Sequence, residues 1–350
     1  MGEAPCDLLE AELALDRLEA ELAAELPGHV RAFARAHSLG MAPPPAPGAA
    51  RRPGSLASAR RALVHPELAD RALATMRLLI PIAIDDDAQV ANARAGEATW
   101  QGLERLATAR DLAAQTRLGL GFVELVHRLH GSAGVAASAP AVPPPLEGWH
   151  ARGERLDVAA IERAWQELAA RHGARGTLRF AGGIAGARSR AFIVEPGREV
   201  TAIVPRTVDT PAARFEVLHE LGHAVAALVV SVALPRVVDE AVAAYVARAL
   251  EVADDLEPAW HSPLAALARE RRAVVAAALD AVERRAGAPA LPSERPPWAL
   301  WHDPGAQAAY VQAEQLAARW WSELGPRPGP GALATAIVRE VAAIDRSTVL

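Results

Sequence analysis

Between residues 177 and 205 this chain changes period, and that change constrains its fold more than any other feature. "TLRF" (177–180), "RAFIVE" (190–195) and "EVTAIVP" (199–205) are short β-type segments, and Pro196-Gly197 between the last two is a hairpin turn signal. The other periodic segments have the period of a helix. Residues 7–37 place Leu8, Leu9, Leu15, Leu18, Leu22 and Leu26 at roughly helical spacing among Glu and Arg. Helical periodicity returns over 55–80 and 86–130, interrupted at Pro66 and Pro81. A helix is expected at about 154–172, just before the β-type segments, and further helices at about 237–253, 262–286, 304–322 and 331–344. The expected fold is mainly α, with a small β-sheet or hairpin and an all-α N-terminal region.

Composition sets the divisions. Met41 to Gly54 is rich in Pro, Ala and Gly and reads as a loop. Gly131 to Pro145 combines small residues with three consecutive prolines, the make-up of a linker. We therefore expect a helical region over 1–130, a linker over 131–149 and a second region over 150–350. There is no internal repeat.

The hairpin leads directly into a helix start. Asp209 or Thr210 supplies an N-cap and Pro211 a first-turn residue, so a helix is expected from there to about Val230. Mid-helix stands His219-Glu220-Leu221-Gly222-His223. With 11 His in 350 residues, chance would put His-Glu-x-x-His in about one chain in forty. On an α-helix, positions i and i+4 lie about 40° apart in azimuth and roughly 6 Å apart in rise, so both imidazoles can reach one tetrahedral Zn²⁺. Glu220, next to the first histidine, is placed to take a proton from the attacking water.

A catalytic zinc site needs a third protein ligand. Glu240, in "LPRVVDEAVAAYVARALE" (234–251), lies 17 residues after His223, past a helix break at Pro235. Asp239 is the rival. One residue turns a helical side chain by about 100°, so only one of the two can face the metal, and the other is left to accept from an imidazole N–H. Hairpin, capped helix, His-Glu-x-x-His, helix break and acid-bearing helix come in the order that a glutamate-ligand zinc peptidase requires. An edge strand of the hairpin would align an extended peptide substrate by β-addition.

Residues 186–251 resemble the thimet oligopeptidase and oligoendopeptidase F family of gluzincins. "GARSRAFIVEPGREVTAIVPRTVDTPAARFEVLHELGHAV" is similar to that family's stretch, in which a Gly-x-x-x-x-Ala-Phe segment leads through a hairpin into Leu-x-His-Glu-x-Gly-His. The resemblance implies a zincin-like catalytic region, zinc ligands His219, His223 and Glu240, and Glu220 as general base. It also implies late His and Tyr donors to the oxyanion. "WHDPGAQAAYVQAEQLA" (301–317) is the late stretch with both, which maps the role to Tyr310 with His302 as helper; the other tyrosine is Tyr245. The His223–Glu240 gap and the whole chain are shorter than in that family, which implies trimmed helical walls around the cleft. "DEAVAAY" also resembles aminopeptidase-type gluzincins. "HELGHA" with a following acid resembles regulatory metalloproteases that cleave phage-type repressors, so action on a specific protein, or zinc binding without turnover, are the alternative functions.

The remaining features point elsewhere. All 37 basic residues are Arg, which excludes Lys-based Schiff-base chemistry. A net charge of −5 and no basic stripe argue against nucleic acid as a partner. The lone Cys6, a start without signal-peptide character and the absence of a membrane-length apolar run lead us to expect a cytoplasmic protein with no membrane partner; the oligomeric state is unknown. There is no Gly-x-Ser-x-Gly. His127 and His130 end an expected helix, where the dipole favours them; Asp85-Asp86-Asp87 suits N-capping; Gly182-Gly183 to Gly186 reads as a turn; and Trp320-Trp321 as core.

Overall fold

The computed structural model describes residues 7–42, 44–97, 99–132, 147–148, 150–152, 158–174, 176–182, 189–204, 208–230, 234–253, 263–283, 306–329 and 331–347. Over these residues the protein is mainly helical, with a three-stranded mixed sheet. The first helix, α1 (Leu8–Ser38), begins where the Asp7 side chain accepts from the Leu9 N–H, and buries Leu15, Leu18 and Leu22. At 31 residues it is about 46 Å long. That length lets its C-terminal half leave the helical layer and cover the sheet.

Six helices follow in the first region: α2 (Gly48–Arg51), α3 (Pro53–Ala62), α4 (Ala69–Asp85), α5 (Ala88–Arg94), α6 (Trp100–Leu118) and α7 (Phe122–His130). Two of them depart from the sequence reading. The expected loop over 41–54 contains the single-turn α2. Pro81, expected to interrupt a helix, lies inside α4, because Leu79, Ile80 and Ile84 on either side of it are all buried and that packing outweighs one missing backbone bond. Asp87 does cap α5, accepting from the Gln89 N–H. Met76, Leu79, Ile80, Leu106 and Leu125 centre the core of this region.

The sheet consists of β1 (Thr177–Gly182), β2 (Arg190–Glu195) and β3 (Glu199–Val204) in the order β1-β3-β2. β2 and β3 form the expected antiparallel hairpin, with Gly197 at φ 75° in its turn. β1 adds to the far side of β3 in parallel, Thr177 opposite Glu199. One face is covered by α1, where Phe33 and His37 meet Phe192 at ring separations of 5.5 and 5.4 Å and Arg31 pairs with Glu199 at 2.7 Å. The hairpin turn is tied to the next helix by the Gly197 N–H, which donates to the Ala227 carbonyl.

Around the sheet stand α8 (Val158–Arg171), α9 (Pro211–Val229), α10 (Arg236–Ala253), α11 (Pro263–Glu283), α12 (Ala306–Leu324) and α13 (Ala332–Ser347). Their core gathers Leu221, Val225, Tyr245, Trp320 and Ile337. Trp320 is fully buried, as its sequence context implies. His127, expected to serve a helix end, is instead a buried partner of Asp280 on α11 at 2.9 Å, with Ser132 on its other ring nitrogen. Burial makes that pairing the stronger demand on the ring, since an unpaired Asp280 carboxylate there would be costly. The expected linker lies mostly outside the described residues, as do Gly183 to Gly186 and His302. Among the described residues no helix is long and apolar enough to cross a membrane.

Candidate metal centre

The centre is built by the crossing of α9 and α10. The α9 start follows the sequence signals: Thr210 is the N-cap, its side chain accepts from the Ala213 N–H, and Pro211 opens the helix. His219, Gly222 and His223 then fall on one stripe of α9, at spacings of three and four residues, and Glu240 and Ala243 on one stripe of α10. The two stripes meet at Gly222. A Cβ on that residue would stand 2.4 Å from the Ala243 Cα and 2.5 Å from its carbonyl oxygen. Only glycine permits this approach, and the approach delivers Glu240 to the two histidines.

Three ligand atoms converge as a result. His219 Nε2 lies 3.0 Å from Glu240 Oε2, and His223 Nε2 lies 3.6 Å from the same oxygen. All three atoms are within 4.8 Å of one another. Four tetrahedral ligands at zinc bond lengths sit about 3.4 Å apart, so the observed separations bracket what one ion needs. Two imidazoles and a carboxylate are also the donor set of catalytic zinc sites with an open position. These residues therefore fit a zinc ion.

The neighbours prepare the ligands. Asp239 Oδ1 lies 3.0 Å from His223 Nδ1, which leaves Nε2 turned toward Glu240. Of the two candidate acids, Glu240 faces the histidine pair and Asp239 orients one ring. Glu240 is 1% exposed, and Arg236, one turn earlier, pairs with its Oε1 at 2.8 Å. Burial alone would push the Glu240 carboxyl up, but Arg236, His223 and His219 hold it well below the usual carboxylate range. Burial likewise opposes charge on His223, yet Asp239 and Glu240 raise it to about 10. A metal bound at this ring would take the place of a proton.

Glu220 lies between this cluster and the sheet, close enough to His223 for its charge to help raise that ring's pKa. Its Oε2 accepts the Ala191 N–H of edge strand β2 at 2.7 Å, and its other oxygen has no partner among the described residues. Tyr310, on α12, is reached through Arg236, whose Nη2 donates to the phenolic oxygen at 3.0 Å. The Arg236 and Arg272 guanidiniums lie 5.6 and 5.2 Å from the Tyr310 ring centre. Burial foremost, then the Glu240 charge, pushes the Tyr310 hydroxyl up to about 12. Tyr245 is not near this chemistry: fully buried, it donates to the Gly325 carbonyl at 2.7 Å.

Sequence reasoning missed Arg236, although its place four residues before Glu240 is the spacing of a helical ion pair. It also missed Phe215, which stacks on His219 at 6.5 Å and lies under Arg272 at 5.4 Å; only the position of α11 reveals that contact. The chain matches no family model, no curated protein and no solved structure.

Proposed function

We propose that this protein is a zinc-dependent peptidase of zincin-like architecture, acting on oligopeptides. The observation that carries the reading is the convergence of His219, His223 and Glu240 at zinc-compatible separations with Glu220 beside them. A purely structural zinc site has no use for that second glutamate. Bound there, Zn²⁺ would lower the pKa of a water molecule and polarise the scissile carbonyl.

The chain's own groups supply the rest. Glu220 Oε1 takes the proton of the attacking water and passes it to the leaving amine, while the Ala191 N–H keeps the carboxylate oriented through Oε2. Because the Tyr310 oxygen accepts from Arg236, its own O–H is left to donate to the developing oxyanion. β2, at the edge of the sheet, offers backbone groups along which an extended peptide can lie.

Metal analysis together with cleavage of a mixed peptide library by the wild type and Glu220→Gln tests this reading. We expect zinc in both proteins, hydrolysis by the wild type, and a loss of about 10²–10⁴-fold in kcat for the variant, whose amide keeps the shape but cannot take the proton. A zinc-loaded wild type that cleaves nothing in the library would make this a zinc-binding protein without turnover. Protein that takes up no zinc would make it a helical scaffold.

A further inference from the structure

Arg236 stands at the first position of α10, where the helix dipole disfavours a cation. Helix stability therefore gives no reason for an arginine there, and the reason lies in what it touches. One turn on, the Glu240 carboxylate is 1% exposed, and its two oxygens face different neighbours. Oε2 lies 3.0 Å from His219 Nε2 and 3.6 Å from His223 Nε2, whereas Oε1 lies 2.8 Å from Arg236 Nε. The guanidinium is itself held from α12, because its Nη2 donates to the Tyr310 oxygen at 3.0 Å and its centre lies 5.6 Å from the Tyr310 ring centre.

This division of the carboxylate matters to a metal. A carboxylate can bind an ion through one oxygen or through both. Two imidazoles and one carboxylate oxygen leave the fourth tetrahedral position of Zn²⁺ open, whereas a second carboxylate oxygen would crowd that position and raise the coordination number. With Oε1 paired to Arg236, binding through both oxygens would break the ion pair and leave a guanidinium, which cannot shed its charge, facing the ion.

We propose that Arg236 is a positioning residue that holds Glu240 to binding through one oxygen and so keeps one coordination position free for the reactants. This rests on the zinc site of the proposed function but not on peptide hydrolysis. Neutralising a buried carboxylate is the other use of such an arginine, and that use makes no demand on how many oxygens meet the ion.

Full-length protein loaded with Co²⁺ in place of zinc tests this, since four-coordinate cobalt absorbs much more strongly in the visible than five-coordinate cobalt. The wild type should show the strong band. Arg236→Met should bind cobalt and lose most of that band, and Tyr310→Phe should keep it, which places the effect at Glu240 rather than at the phenol. Should Arg236→Met not fold, X-ray absorption of the zinc-loaded wild type decides, with a first shell of four nitrogen and oxygen atoms expected. A weak band in the wild type or in Tyr310→Phe, a strong band in Arg236→Met, or a fifth atom in the wild-type zinc shell overturns the proposal. A strong band that Arg236→Met loses, in a protein that hydrolyses no peptide, leaves this inference standing and removes the peptidase reading. A wild type that takes up neither metal removes both.

Discussion

Gly222→Ala separates two lines of reasoning that predict opposite signs. Considered only as a helix-interior residue, alanine should stabilise α9 by about 1 kcal/mol relative to glycine. The tertiary structure reverses this. The new Cβ would meet the Ala243 Cα at 2.4 Å and the Ala243 carbonyl oxygen at 2.5 Å, so α9 and α10 must separate by about 1 Å to regain ordinary contact. Both obstructing atoms are backbone, with no side chain to rotate away, which puts the cost at the upper end of core overpacking, about 3 kcal/mol. The net effect is about 2 kcal/mol of destabilisation, or roughly 4–8 °C in Tm at the slope of a large domain. The same shift carries Glu240 away from His219 and His223 by more than the about 0.2 Å that a zinc ligand set tolerates. Zinc affinity, measured by competition with a chelator, should therefore fall at least about tenfold alongside the Tm in calorimetry. A Gly222→Ala protein that melts at or above the wild-type temperature and keeps its zinc affinity would refute the close crossing as the device that builds the site.

Glu240→Gln should weaken zinc binding strongly, because an anionic oxygen bound to the metal offsets its charge directly. Asp239→Asn should leave zinc largely bound and lower activity by a factor of about 10–100, and the reverse ranking in chelator competition would exchange their roles. His219→Ala and His223→Ala should each lose both zinc and hydrolysis, and near-stoichiometric zinc in either would sink the ligand assignment. Tyr310→Phe should keep zinc and fold yet lose about 10²-fold in kcat, and an unchanged kcat would remove the hydroxyl from the oxyanion. Acid should destabilise the fold through His172, which is 1% exposed and whose pKa burial lowers to about 4. The unfolded chain binds this proton first, so stability is complete above about pH 6.5 and falls by up to about 1.4 kcal/mol per unit toward pH 4. Urea melts of wild type and His172→Phe at pH 7 and pH 5 check this, and equal losses in both would contradict it.

What could be read from the sequence was local. The four-residue spacing of His219 and His223, the Thr210-Pro211 start, the Pro196-Gly197 turn and the helix that carries Glu240 all follow from backbone periods and capping chemistry, which act over a few residues. Spacing alone left Asp239 as a rival to Glu240, and the rotation of α10, which neighbouring helices set, turns Glu240 to the histidine pair and Asp239 to one ring. Packing also decided that Pro81 stays inside α4, that β1 joins β3 in parallel, and that α1 reaches across to cover the sheet. The Phe215–Arg272 contact beside the candidate metal centre likewise joins two helices distant in sequence. The physical reason is the range of the forces involved. Helix periods and caps are written in adjacent residues, whereas the pairing of faces depends on the shape left when two helices meet, and here Gly222 against Ala243 sets that shape.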